Sequence, residues 1–203
     1  AQLARKSPNL PAQVGNDLKS IETASLHARE IIRKLMTFSR QLAPKKVLVN
    51  LNDIVTDGIS FFEARCANAG IQLVCRLADH PPMITADPGQ INQVLVNLMV
   101  NAIHAMPGGG TLTVETRVGE AGIGVVVEDT GTGISKHIAN QIFIPFFTTK
   151  DINEGTGLGL AVVHGIVTSH GGNISVETEE GKGTRFLIHL PLSNSESIDD
   201  KGG

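Results

Sequence analysis

Three stretches of the sequence hold residues whose types and spacing suit a phosphorylated ligand. In VVVEDTGTGI an apolar run ends at Asp129, and Gly131 and Gly133 follow. An acid placed where a strand gives way to a turn can point its carboxylate into a cavity and accept hydrogen bonds from an amino group. Glycines there let a planar ligand approach the backbone. The same pattern also describes an ordinary strand-end turn. In NQVLVNLMVNAIHAM, Asn97 and Asn101 stand four residues apart, on one face of a helix. Asparagine is a poor helix former, and its amide oxygen is a good ligand for a hard cation. Two such amides among Val, Leu and Met need partners, either a ligand or each other's surroundings in the core.

The third stretch, DINEGTGLGLAVVHG, has glycine at 155, 157 and 159 and then an apolar helical run. A dinucleotide fingerprint needs a strand directly before it and the spacing G-x-G-x-x-G. The preceding TTKDINE is no strand and the spacing is G-x-G-x-G, so that reading fails. A Walker loop fails as well, because no Gly-Lys-Ser/Thr follows. What survives is a run of bare backbone amides at a helix N-terminus, where the helix dipole favours anions. Lys150, a few residues earlier, can reach the same anion.

These residues need a scaffold. The 203 residues are enough for one good core or for one domain with a small appendage. A hydrophobic fraction of 41% with 18% charged residues is that of a soluble globular protein. A net charge of −3 and the absence of any basic block argue against a nucleic-acid surface. There is no Trp or Tyr to stack on bases. Cys66 and Cys75 lie in a helical and a strand-like segment and read as two reduced, buried thiols of a cytosolic protein. No apolar run is long enough to span a bilayer and no signal peptide is visible.

Leu18, Ile21, Ser25, Ala28, Ile32 and Leu35 form a heptad-like seam, which predicts one long helix over Asn16 to Arg40, suited to a helical hairpin or dimeric bundle. Pro44 ends it and marks a domain boundary. Beyond it the pattern alternates. Strands are expected at 46–52, 71–77, 110–118 and 123–131. A helix is expected over Asp53 to Ala69. Asp87 and Pro88 form an N-cap and first-turn proline for a helix over 89–106. After a long loop come a helix at 159–172, a closing hairpin of 173–180 and 184–192, and a polar tail at 193–203. Short strands with helices between them imply an α/β fold: a two-layer α/β sandwich, its mixed sheet covered by helices on one face.

Taken together and in this order, NLMVNAIHAM, DTGTGI, IFIPFFTTK, GTGLGL and GKGTRF resemble the N, G1, F, G2 and G3 boxes of the ATP-binding domain of sensor histidine kinases. That domain belongs to the superfamily shared with gyrase, Hsp90 and MutL. The resemblance covers residues 46 to 192, and LMTFSRQ is similar to the usual ending of the second dimerisation helix. It implies three segments: 1–44 as part of a dimerisation stem with its first helix truncated, 45–192 as the catalytic domain, and 193–203 as the tail. It implies ATP and Mg²⁺ as cofactors, with Asn101 holding the metal and Asn97 one turn earlier in the same site. Asp129 would accept the adenine amino group, with Gly131 and Gly133 shaping the purine pocket. Phe143, Pro145 and Phe146 would anchor a mobile lid, and Gly155, Gly157 and Gly159 would close it on the phosphates. Thr184 would add a polar contact. Ala105, Ile134, Thr149, Lys150, Thr156, Leu158 and Leu160 would complete the nucleotide site. His104 stands where such kinases often carry a lysine, and is expected to contribute to catalysis with Asn97 and Asn101.

Position 97 bears on the reaction. In the hydrolytic members of the superfamily a glutamate four residues before the magnesium asparagine polarises the attacking water, and an amide is no general base. A histidine acceptor needs none, since imidazole has a nucleophilic lone pair at neutral pH. The resemblance therefore implies phosphoryl transfer from ATP to a histidine, then to an aspartate of a response regulator. It also implies a homodimer through the stem, a cytoplasmic location, and no membrane or nucleic-acid contact from this segment. A non-catalytic ATP-binding scaffold and a superfamily ATPase or serine kinase are the competing readings. The phosphoacceptor box, an H-E or H-D pair, is missing, and none of the seven histidines precedes an acid. His27 lies off the seam and lacks that acid. His164 and His170 are expected to pack or cap.

Overall fold

The computed structural model describes residues 11–39, 44–149 and 156–192. It opens on α1 (Ala12–Ser39), four residues ahead of the expected start, because the Pro11 carbonyl already accepts the first helical bond from Gly15. Of the expected seam, Ile21 is 55% exposed. The side chains of Ala28, Ile32 and Leu35, and that of His27, lie outside the described residues, as does Arg40.

Two expected elements are shorter than the pattern implied. The strand at 46–52 is only β1 (Val47–Val49). Asn50 instead caps α2 (Leu51–Ser60), its side-chain oxygen accepting the Asn52 amide at 2.9 Å, so the chain turns into a helix where the apolar pattern suggested more strand. The helix expected over Asp53 to Ala69 is interrupted between α2 and α3 (Glu63–Asn68). Phe62 turns into the core at 6% exposure while Phe61 stays 80% exposed. A continuous helix would rotate one about 100° from the other with no freedom to adjust. Unforeseen is β3 (Ile84–Ala86), which pairs antiparallel with β1 as a two-stranded ribbon, Val47 opposite Ala86.

The remaining elements are β2 (Ile71–Arg76), α4 (Pro88–Ala105), β4 (Gly110–Gly119), β5 (Gly122–Asp129), α5 (Gly159–Ser169), β6 (Asn173–Glu179) and β7 (Gly183–Pro191). Five strands form one mixed sheet in the order β2-β4-β5-β7-β6, parallel only between β2 and β4. Alternation along the strands turns Leu112, Val114, Val125, Val127, Phe186 and Ile188 to the side covered by α2, α4 and α5. There they meet Leu95, Leu98, Met99, Ala102, Val163 and Val167 in one core. Each fully buried Leu or Val side chain contributes about 1.5–3 kcal/mol, so the helices are held to the sheet chiefly by apolar burial. This is the expected α/β sandwich.

Cys66 is buried in α3, and burial pushes its thiol pKa up. Cys75 is exposed on β2, contrary to the expectation of two buried thiols. β2 pairs with only one neighbour, so its outer residues meet solvent. Among the described residues no helix is long and apolar enough to cross a membrane.

Candidate nucleotide-binding site

The site is built along one edge of α4. Asp87 fixes the start of that helix, its Oδ1 accepting the amides of Gly89 at 2.9 Å and Gln90 at 3.1 Å. His170, the C-cap of α5, is buried, with Nδ1 2.8 Å from the Ile166 carbonyl and Nε2 accepting the Asp87 amide at 3.0 Å. It is thus a capping residue, and it locks the two helices together. One face of α4 is buried, through Ile91, Val94, Leu95, Leu98, Met99, Ala102 and Ile103, and positions 97, 101 and 105 fall on a half-buried edge at successive turns. Asn97 Nδ2 donates to the Gly159 carbonyl, at 3.3 Å, where α5 begins. The Ala105 carbonyl accepts the Thr132 amide at 3.0 Å. Asn101 lies between these ties, and His104 is exposed one residue before Ala105. Eight residues of helix span about 12 Å, so α4 carries the helix-start glycines at one end and the acidic turn at the other.

Asp129 ends β5, opposite Leu112 on β4 and Thr184 on β7. It is only 6% exposed. Burial pushes its carboxyl pKa above the ordinary aspartate value, opposed by the backbone amides of Gly131 and Thr184. The Gly131 amide donates to Oδ1 at 2.8 Å. A carboxylate kept in a dry recess at a cost in its own ionisation suits a donor that arrives with a ligand. Gly133, at φ +66°, lies so close to the Glu179 carbonyl that a Cβ would overlap it. The turn is thus wedged between the end of α4 and the β6–β7 hairpin.

In the segment after the Asp129 turn, Ile142 is buried and Phe143 and Phe147 pack against the core. The Phe143 ring lies 5.6 Å from the His164 ring at 45°, so His164 packs, as expected. Pro145, Phe146 and Thr149 are exposed. Of the residues expected to anchor a lid, Phe143 thus packs inward, beside Ile142 and Phe147, while Pro145 and Phe146 do not. The Phe146 amide donates to the Gly157 carbonyl at 2.9 Å, and Gly157 takes φ +64°. A Cβ on Gly157 would run into the backbone of Phe146 and Phe147. Leu158 is buried, and Thr156, Gly159 and Leu160 are half-buried. Unlike α2 and α4, α5 has no side-chain cap from the residue before it, which leaves its first amides without an acceptor from that side chain. Lys150 and Gly155 lie outside the described residues.

Thr184 is buried, and beside it stands a residue the sequence reading missed. The Thr178 hydroxyl accepts the Ile134 amide at 2.8 Å and lies 3.1 Å from both the Gly183 carbonyl and the Thr184 hydroxyl. Its signal was faint: one polar residue on the inward side of β6, in register with Ile174 and Val176.

A buried acceptor at a strand end and uncapped amides at a helix start, about two turns apart along one helix, suit a purine at one end and phosphates at the other. Among the described residues no three His, Cys, Asp or Glu side chains gather as a metal cluster. Amide donors such as Asn101 suit a hard cation that takes most of its oxygen ligands from phosphates and water.

The family model of histidine kinase-, DNA gyrase B- and HSP90-like ATPases matches residues 86–194. The sensor kinase CckA of Brucella abortus (strain 2308) is 39% identical over 200 residues, 91% of this chain and 21% of that protein. The sensor histidine kinase ZraS of Escherichia coli (strain K12) is 43% identical over 145 residues, 71% of this chain and 31% of that protein. The solved catalytic domain of the histidine kinase ThkA is 31% identical, with a TM-score of 0.65 over 72% of this chain and 95% of that one. ThkA has also been solved in complex with the response regulator TrrA, where the TM-score is 0.72 at 24% identity over 93% of this chain and 54% of that one. The chain spans a fifth to a third of the length of these two curated relatives, 21% of CckA and 31% of ZraS. The chain belongs to the family of histidine kinase-, DNA gyrase B- and HSP90-like ATPases and carries the ATP-binding catalytic domain of a sensor histidine kinase.

Proposed function

We propose that this chain binds Mg-ATP along α4 and transfers the γ-phosphoryl to a histidine presented by a dimerisation helix, for relay to a response-regulator aspartate. The observation that carries the reading is the alignment of Asn97, Asn101 and Ala105 on one helical edge, with Gly159 at one end and the Asp129 turn at the other. Asp129 would accept the adenine amino group, while the turn through Gly131, Gly133 and Ile134, backed by Thr184, encloses the ring. Asn97, Asn101 and His104 would face the phosphates, with the uncapped start of α5 at Leu158 to Leu160 neutralising their far side. Lys150, Gly155 and Thr156 would complete the closed lid. When bound, Mg²⁺ would neutralise charge on the phosphate oxygens.

In the reaction the acceptor imidazole's free nitrogen attacks the γ-phosphorus. The bond from that phosphorus to the β–γ bridging oxygen breaks, and ADP leaves with the electron pair. Asn97 offers no base, so the residues of this chain act by placing the phosphates and excluding water rather than by activating a nucleophile. We further propose that residues 1–44 belong to a stem through which the protein dimerises, that 45–192 form the catalytic domain, and that 193–203 are a tail. The exposed Ile21 and Leu26 of α1 support the stem. The naming of the relatives as sensor kinases and the solved ThkA–TrrA complex support a response regulator as partner, and we place its site of action in the cytoplasm.

The test supplies labelled ATP together with a helical-hairpin protein carrying an H-E or H-D pair. An acid-labile, base-stable phosphate on that protein is expected. Measured ATP binding with no such product would leave only a nucleotide-binding scaffold, and gyrase-like hydrolysis would overturn the kinase reading.

A further inference from the structure

We propose that Thr178 is a positioning and specificity-determining residue of the purine pocket: its hydroxyl clasps the Asp129 turn and orients Thr184 as an acceptor, selecting a 6-amino over a 6-oxo purine. The inference rests on the nucleotide-site reading above. A threonine hydroxyl has one hydrogen to give and two lone pairs to receive. One lone pair of Thr178 takes the Ile134 amide at 2.8 Å. Its hydrogen goes to the Gly183 carbonyl at 3.1 Å, because a carbonyl can only accept. The Thr184 hydroxyl, also at 3.1 Å, must then donate its own hydrogen to the remaining lone pair of Thr178.

That assignment has a consequence next door. With its hydrogen committed to Thr178, Thr184 can only accept from a ligand. Thr184 sits opposite Asp129 across the β5–β7 ladder, and both are buried. The pocket wall thus presents two acceptors side by side, the carboxylate and the hydroxyl oxygen. An exocyclic amino group carries two hydrogens and satisfies both, whereas a 6-oxo group sets lone pair against lone pair. Thr178 also acts on the loop itself. The turn is tied by backbone bonds from Thr132 to Ala105 and from Gly181 to Thr132, and Thr178 adds a tie made by a side chain, which substitution can remove.

The experiment measures ATP and ITP binding by calorimetry to the wild-type chain and to Thr178→Ser and Thr178→Val, with thermal melts of each. Valine keeps the shape of threonine without the hydroxyl, and serine keeps the hydroxyl. We expect wild type to favour ATP over ITP, Thr178→Ser to retain that preference, and Thr178→Val to weaken ATP binding and reduce the preference by about tenfold. Because Thr178 acts through Thr184, Thr184→Val alone should also reduce the preference, and the double substitution should reduce it no further. A wild-type ATP/ITP preference in folded Thr178→Val overturns the inference, as does one in Thr184→Val should Thr178→Val fail to fold. A wild-type chain that binds neither nucleotide overturns the nucleotide-site reading itself, a result distinct from either.

Discussion

The side-chain amide of Asn97 donates to the carbonyl oxygen of Gly159 at 3.3 Å, tying the middle of α4 to the first residue of α5. A glutamate in its place has no hydrogen to give and sets its charge against that carbonyl. Asn97→Glu should therefore not improve phosphotransfer but lower it about tenfold, with a lower melting temperature. Some ATP should be lost to hydrolysis instead. Parallel assays of released phosphate and phosphohistidine check this, and faster transfer in the variant would contradict the geometry.

Gly157 holds φ +64° with its Cα against the backbone of Phe146 and Phe147. Gly157→Ala forces that backbone apart just before the start of α5. ATP affinity should fall by about tenfold or more while the sheet and its core remain folded. Calorimetric titration beside a circular dichroism melt separates the two effects. Unchanged affinity would tell against a phosphate cradle.

Asp129 should cost the empty domain stability. Its folded-state pKa is raised, chiefly by burial, so the folded form holds a proton more tightly than the unfolded one. Stability then falls as pH rises from the ordinary aspartate value through the raised one, and stays lower above it. Asp129→Asn keeps an oxygen for the Gly131 amide and removes the charge. It should melt higher than wild type at neutral pH, with the difference vanishing below the ordinary aspartate range, and it should lose ATP binding. A lower neutral-pH melting temperature would show that the carboxylate is better compensated than its surroundings suggest.

His170 has the opposite dependence. Its pKa is lowered from 6.5, first by burial and then by Lys46, against the Ile166 carbonyl and Asp87, which raise it. With Nδ1–H given to Ile166, Nε2 must stay bare to receive the Asp87 amide. Its contribution is present above 6.5 and is lost as pH falls through 6.5 toward the depressed value. His170→Gln should melt lower at pH 8 and show a flatter profile between pH 8 and pH 5. A parallel offset across that whole range would refute the neutral-histidine link.

Residue type and order were enough for much of this. The heptad-like spacing up to Leu35, the Asp87-Pro88 start of α4 and the alternation in β4 and β7 are local signals, and local hydrogen bonding honours them. Asn97, Asn101, Asp129 and the Gly157–Gly159 pair were legible because such residues are poor choices for a plain core, and each stands in a distinctive neighbourhood. Other features were settled only between distant segments. β3 is too short to announce itself and exists because β1 offers it a partner. Asn50 could continue a strand or cap a helix, and the helix won because Leu51, Ile54 and Val55 had a core to enter. Pro145 and Phe146 share a motif with Phe143, yet only packing decides which of them faces in. Thr178 looks like any strand threonine until the fold brings Ile134, Gly183 and Thr184 around its single oxygen. The sequence thus marked which residue types and spacings suit a nucleotide. The tertiary structure decided which of them lie together, because a hydrogen bond between residues 134 and 178 depends on long-range packing that no local pattern encodes.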